Sequence, residues 1–225
     1  MTIKRKLAVF DIDDTFYSLI EPIHYALKMA TGKDIHPDKW HTFMLGEVYG
    51  IPIEEVFQAF HDYDILLHGV VDHEIKPLLK HFKEQDFDNL ALSSRGWHLD
   101  ALRLTNEMLD NNGIVFDHVQ IVTHAQTKGS VLKDQWSKNY QIEFFIDDYE
   151  KNIHTVSEAI GGNPLIIVKN RPWNKNVEFD DKFKRVENLS EVIGHYENHL
   201  NQKNLSNDSK IILPESGNRK IIKPH

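Results

Sequence analysis

The chain has 225 residues, 40% of them hydrophobic and 27% charged, with a formal net charge of −8 and no cysteine. That length suits one sizeable domain, or a core domain carrying an insertion. The acidic balance argues against a mainly electrostatic nucleic-acid binder, and the absence of cysteine excludes disulfides, thiolate chemistry and cysteine zinc sites.

The basic start at 1–6 leads into an apolar run that stops at Asp11. The run is too short for a signal peptide or a membrane span, so the expected location is cytoplasmic. Residues 7–10 (Leu-Ala-Val-Phe) read as a buried strand. Residues 17–71 hold no convincing strand; Ile53, Val56, Phe57, Phe60 and Leu67 follow helical spacing, and Pro52 suits a first helical position. A βα crossover needs far fewer residues, so this stretch reads as a helical cap over the strand ends, with helices packed beside the sheet as the alternative.

A helix at 74–83 places Ile75, Leu78, Leu79 and Phe82 on one face, and a strand follows at 90–93. Another helix starts near Trp97 and stops at Asn111-Asn112-Gly113. Then come a strand at 119–122, a helix at 128–138, a strand at 144–146, a helix at 152–160 ending at Gly161-Gly162, and a strand at 165–168. After His199 the composition turns polar, with 210–213 as a candidate edge strand. Alternating strands and helices predict an α/β fold: a Rossmann-like parallel sheet with helices on both faces and a small helical cap inserted after the first strand. The expected division is a core of 1–16 and 72–200, a cap of 17–71 and a polar tail of 201–225.

Two acidic clusters sit where chemistry would place them. Asp11-Ile12-Asp13-Asp14-Thr15 follows the first strand, and Asp147-Asp148 follows Phe144-Phe145-Ile146. Open parallel sheets bind ligands outside the carboxyl ends of their strands. Neighbouring carboxylates raise one another's pKa unless a cation lies between them, so the pattern points to a divalent metal with oxygen ligands, most simply Mg²⁺. Between the clusters, Ser93-Ser94-Arg95-Gly96 ends the second strand and Lys128 opens a helix.

The order Asp-x-Asp-x-Thr, strand-end Ser, Lys, then Asp-Asp resembles the phosphatase branch of the haloacid dehalogenase superfamily, over about residues 7–174. The resemblance implies Asp11 as nucleophile, forming an aspartyl-phosphate, and Asp13 as general acid and then general base. It implies Mg²⁺ held by Asp11, Asp147 and the backbone carbonyl of Asp13, with Asp148 in direct contact or one layer out. Ser93 and Lys128 would bind the phosphoryl oxygens, with Ser94 competing for the hydroxyl role, Lys133 for the lysine role, and Arg95 as a further phosphate contact. Dehalogenases of the superfamily lack the second aspartate, so Asp13 favours a phosphatase. The family commonly has glycine at position 14; Asp14, a turn former, tolerates unusual backbone angles. Thr15 is expected to bind backbone and Asn152 to cap a helix.

Asn170-Arg171-Pro172-Trp173-Asn174 and 185–192 resemble the C-terminal end of 5'(3')-deoxyribonucleotidases, which also carry a helical cap. That resemblance implies a small phosphorylated substrate, a nucleoside monophosphate, and Phe16, Tyr17, Trp40, Phe43 or Tyr49 could stack on a base. A polynucleotide-end phosphatase and a non-catalytic binding protein on the same fold are the alternatives; nucleic-acid and membrane partners are not expected. The 14 histidines, with His61-Asp62, His68 and Asp72-His73, permit a metal site on the insertion, but that reading leaves the strand-end carboxylates unexplained. No phosphate-cradling Gly-x-x-x-x-Gly-Lys loop or dinucleotide-binding Gly-x-Gly-x-x-Gly turn is present, and the Asn-x-Ser triplets at Asn188 and Asn204 carry no weight.

Overall fold

The computed structural model describes residues 4–161 and 163–208. Positions 1–3, 162 and 209–225, including Gly162 of the expected helix stop and the candidate edge strand at 210–213, lie outside them.

Six parallel strands form the central sheet: β1 (Arg5–Phe10), β4 (Phe87–Ser93), β5 (His118–Ile121), β6 (Tyr140–Asp147), β7 (Leu165–Lys169) and β8 (Phe183–Val186), in the order β5-β4-β1-β6-β7-β8. The chain leaves β1 towards β4 and β5, then crosses back to β6 on the other side. The strand order therefore reverses beside β1, and the crevice of an open sheet lies at the carboxyl ends of β1 and β6.

Alternation along the strands makes two cores. Leu7 and Val9 join Leu90, Leu92, Phe145 and Val168 on one face. Ala8 and Phe10 join Ala91, Phe144, Ile146 and Ile167 on the other. The first face packs on α6 (Lys128–Val131) and α7 (Glu150–Ala159), through Val131, Ile153 and Val156. The second packs on α4 (Ile75–Glu84), α5 (Ala101–Asn111) and α8 (Glu191–Asp208), through Phe82, Met108 and Val192.

The insertion holds α1 (Ile20–Thr31), α2 (Leu45–Tyr49) and α3 (Ile53–Asp62). It is closed at its base by a feature the sequence did not announce: β2 (Tyr17–Ser18) pairs antiparallel with β3 (Val70–Val71). Tyr17 ties this stem, its hydroxyl donating to the Leu66 carbonyl at 2.9 Å and accepting from the Gly69 N–H at 3.0 Å. Ile23, Tyr49 and Val56 of the insertion share one apolar cluster with Phe10 and Phe144 of the sheet.

Three local differences from the sequence reading have simple causes. The helix expected from 128 to 138 is α6 continued by a π-helical turn, Leu132–Trp136. The strand β8 had no apolar run to announce it. The helix α8 runs to residue 208, past the onset of polar composition at 201, because its first half is seated on the sheet by Val192 and Tyr196. Among the described residues, no helix is long and apolar enough to cross a membrane.

Candidate active site

Register brings the two acidic clusters together. Phe10 is paired with Ile146, so Asp11 and Asp147 leave adjacent strands side by side, and the Asp11 N–H continues the ladder to the Ile146 carbonyl at 2.9 Å. Phe10 and Ile146 face the α4/α8 side, so by the two-residue period Asp11 and Asp147 turn to the α6 side, where Lys128 stands.

Lys128 is buried and donates to both carboxylates, to Asp11 Oδ1 and, at 2.7 Å, to Asp147 Oδ2. Its helix can come this close because residue 129 is glycine: a Cβ there would lie 2.2 Å from the Thr155 carbonyl oxygen of α7. Thr127 fixes the start of α6, its hydroxyl accepting from the Ser130 N–H at 3.0 Å and the Ser130 hydroxyl accepting from the Thr127 N–H at 3.1 Å.

Asp11, Asp147 and Asp148 each offer an oxygen within 4.8 Å of the others, and all three are buried. It is the only such group of potential metal ligands among the described residues; the insertion histidines form none, and His61 instead stacks on His98 with ring centroids 5.1 Å apart. The Lys128 ammonium bonds two of the three carboxylates, Asp148 has the charge of Arg171 set against it, and the electrostatics still register an excess of negative charge. Burial pushes Asp11 up to about 7, with Asp147 and Asp13 adding to the rise and Lys128 opposing it. Burial also holds Asp148 well above the usual carboxylate range, helped by Asp147 and Asp11. For Lys128 burial pulls downward, but Asp11 and Asp147 outweigh it and keep the ammonium firmly charged.

Each carboxylate is also held from outside the cluster. Thr15 donates its hydroxyl to Asp11 Oδ2 at 2.9 Å, so its partner is the carboxylate and not backbone. Asn152 does not cap α7, whose N-cap is Tyr149; its amide donates to both oxygens of Asp147, at 3.2 and 3.1 Å, and the Tyr149 N–H adds a bond at 2.8 Å. Trp173 Nε1 donates to Asp148 Oδ2 at 2.8 Å. The sequence offered one signal for Asn152, a short amide one helical turn after the acidic pair, and none for the Trp173 contact.

Asp14 takes the left-handed conformation, φ 56°, that glycine would adopt most easily. Its carboxylate accepts from the Leu19 N–H at 2.9 Å and its carbonyl accepts from Arg171 Nε at 2.6 Å. Burial lifts its pKa to about 6 against the pull of Arg171.

The second aspartate, Asp13, is half-buried and stands apart from the cluster. It accepts from Arg95 through Nε, at 3.0 and 2.9 Å, and through Nη2 at 2.5 Å, and from the Ser93 hydroxyl at 3.2 Å. Ser93 and Arg95 are both fully buried against Asp13, whereas Ser94 is exposed to the cavity. Lys133 lies in the π-helical turn and takes no part.

Asp11, Asp13, Asp14, Ser94, Lys128 and Asp148 floor a cavity of about 470 Å³. Its remaining wall is largely apolar and comes from both the insertion and the core, among them Trp40, Phe43 and Phe57 from the former and Trp97, Tyr149 and Trp173 from the latter. Ring stacks bridge the two sides, among them Phe43 on Tyr149, with centroids 3.9 Å apart, and Phe57 on Trp97, at 5.6 Å. Of the five aromatics named from sequence, Trp40 and Phe43 reach the cavity, whereas Phe16, Tyr17 and Tyr49 serve the interior.

The fold is that of haloacid dehalogenase-superfamily hydrolases. A predicted phosphatase from Clostridium acetobutylicum superposes with a TM-score of 0.61 at 16% identity, covering 88% of this chain and 100% of that one. A haloacid dehalogenase-superfamily hydrolase of subfamily IA from Geobacter sulfurreducens does so with a TM-score of 0.55 at 17% identity, covering 85% and 96%. One from Ehrlichia chaffeensis gives 0.51 at 15%, covering 87% and 98%. No protein-family model matches the chain. No curated protein matches it either.

Proposed function

We propose that this protein is a Mg²⁺-dependent phosphomonoester hydrolase that works through an aspartyl-phosphate on Asp11. The observation carrying the reading is the meeting of Asp11, Asp147 and Asp148 within 4.8 Å of one another, with the Lys128 ammonium bonded to Asp11 and Asp147, beneath a cavity that Asp11, Asp13, Lys128 and Asp148 line. The donor set fits a hard cation: the ligands are carboxylate oxygens, and three buried carboxylates exceed what one lysine can neutralise. Asp11, Asp147, Asp148 and the Asp13 carbonyl would hold Mg²⁺, which when bound offsets the negative charge of carboxylates and phosphate alike.

The chain's own groups account for the rest. A carboxylate oxygen of Asp11 attacks phosphorus, forming the acyl-phosphate bond as the bond to the leaving oxygen breaks. Asp13 gives its proton to that oxygen. In the second half-reaction Asp13 takes a proton from water as the water oxygen attacks phosphorus. The bond to Asp11 breaks, releasing inorganic phosphate and restoring the Asp11 carboxylate. Lys128 stabilises the phosphoryl oxygens by charge, and Ser94, which faces the cavity, supports a hydroxyl contact that buried Ser93 would share only by turning from Asp13.

The insertion is read as a cap that closes on the leaving group. Its aromatic, largely apolar wall supports a nucleoside monophosphate over a sugar phosphate, whose hydroxyls would need more polar partners. A net charge of −8 gives no support to a polynucleotide end, and the cysteine-free composition is compatible with the cytoplasm. The test is hydrolysis of 4-nitrophenyl phosphate and a panel of phosphorylated metabolites, with EDTA and with Mg²⁺, by wild type and Asp11→Asn. Loss of turnover in EDTA and in the variant is expected; a fully active Asp11→Asn removes the assignment.

A further inference from the structure

Arg95 is the odd residue of the site. It follows the strand-end serines, where a phosphate contact would be convenient, yet it has no solvent exposure and does not line the cavity. Its guanidinium is spent elsewhere. Nε and Nη2 grip both oxygens of Asp13 at 2.5–3.0 Å. Nη1 donates to the buried Thr105 hydroxyl of α5 at 2.8 Å. Its Cζ lies 5.4 Å from the centre of the Tyr17 ring, the residue that ties the two ends of the insertion together.

Local sequence makes this burial feasible. Gly96 lets the loop turn inward, since a Cβ there would meet the Val122 carbonyl oxygen at 2.5 Å. A two-pronged guanidinium–carboxylate contact fixes the plane of the carboxylate as well as its position, which a single-point donor cannot do. A proton-transferring carboxyl must stand within about 2.6–3.2 Å of the oxygen it serves, so its direction sets its competence.

We propose that Arg95 is a positioning residue for Asp13: it is held by Thr105 and Tyr17, sets the direction of the Asp13 carboxyl group, and does not bind the phosphoryl group. This rests on the hydrolase reading above and deepens it. Because Tyr17 belongs to the stem of the insertion, the same contact ties the direction of Asp13 to the base of the cap.

The two roles for Arg95 part on the leaving group. A phosphate clamp serves every ester alike and also holds inorganic phosphate. A residue that aims Asp13 matters most where the departing oxygen needs a proton, and little where it leaves as a stable phenolate. The experiment compares wild type, Arg95→Lys, Arg95→Met and the milder Thr105→Val on alkyl phosphates and on 4-nitrophenyl phosphate, and measures inhibition by inorganic phosphate. The expected result is a fall in kcat/KM of about tenfold to a hundredfold on alkyl esters, a fall of under about threefold on the aryl ester, and an almost unchanged phosphate inhibition constant. Thr105→Val should show the same pattern in smaller measure, which keeps the test alive if Arg95→Met does not fold. Equal losses on both ester types, phosphate inhibition weakened about tenfold, or wild-type kinetics in every variant would each overturn the proposal. An active Asp11→Asn would instead remove the hydrolase reading itself, and the two failures are therefore distinguishable.

Discussion

Trp173 and Asp148 are joined by a 2.8 Å hydrogen bond from the indole N–H to a buried carboxylate oxygen. The same indole lies against the insertion, with its ring centre 6.2 Å from Trp40 in a near-parallel arrangement and 6.2 Å from Phe43 edge-on. One side chain thus fastens a carboxylate of the acidic cluster to the wall that closes over it. Asn174 completes the brace, its amide donating to the carbonyls of Asp148 and Lys169 at 2.7 and 2.8 Å.

Trp173→Phe keeps a ring at this junction and removes only the N–H. Outer partners of metal-binding carboxylates typically change affinity by about 10–100-fold. The expected outcome is Mg²⁺ binding weakened about tenfold in titration calorimetry, with stability lowered by about 1–3 kcal/mol for the stranded buried oxygen. Unchanged Mg²⁺ affinity would mean that the bond serves packing alone.

The pKa shifts set a pH dependence with a definite sign. Asp11 is raised from 3.8 to about 7 and Asp14 from 3.8 to about 6, burial being the main cause in both. Between those limits the folded protein holds protons that the unfolded chain has released. Raising the pH through this window therefore costs stability. Metal-free protein should melt at a lower temperature at about pH 7.5 than at about pH 5, and Mg²⁺ should raise the melting temperature more at the higher pH. Asp11→Asn should flatten the metal-free profile. A metal-free melting temperature that rises over this range would contradict the arrangement.

Much of the sheet was legible in the sequence because β1, β4, β6 and β7 are buried on both faces, and such strands read as plain apolar runs. The strand β8 was not, for it is a four-residue edge strand, Phe-Lys-Arg-Val, with two charged residues in its middle. Nor were β2 and β3, which are two residues each and owe their pairing to the closure of the insertion. In the site, the acidic clusters and Lys128 were legible from order alone. The bonds from Thr15, Asn152, Trp173 and Arg95 were not: each depends on which way a side chain turns in three dimensions. Arg95 shows this best, since an arginine beside strand-end serines suggests a phosphate contact, and its bonds to Asp13 and Thr105 cannot be read from that position in the sequence.

Two glycines of similar sequence character should respond oppositely to alanine. At Gly129 the new methyl would lie 2.2 Å from the Thr155 carbonyl oxygen, so α6 must move away from α7 and take Lys128 with it. Gly129→Ala should cost about 1–3 kcal/mol and reduce turnover. At Gly194, within α8, nothing lies within 4 Å of the added methyl. Gly194→Ala should stabilise by about 0.5–1 kcal/mol through helix propensity and leave activity unchanged. Chemical denaturation of both variants checks the pair; equal effects would mean that the α6–α7 approach is not tight.

The leaving-group assignment turns on Phe43 and Tyr149. Their rings are stacked with centroids 3.9 Å apart, which leaves no room for a base between them. A planar base must either part the two rings, which moves the insertion from the core, or stack on the outer face of one of them. In both cases Phe43, which is partly exposed at the cavity, is a ring the base would meet. Stacking of a base on an aromatic side chain is worth about 1–3 kcal/mol. Phe43→Ala should therefore lower kcat/KM for nucleoside monophosphates about tenfold or more, with hydrolysis of 4-nitrophenyl phosphate held within about threefold. A sugar phosphate would lose little, having no π-face to stack. If wild type prefers sugar phosphates and Phe43→Ala is indifferent to the base, the cavity takes another kind of leaving group, while the roles of Asp11, Asp13 and Lys128 are unaffected.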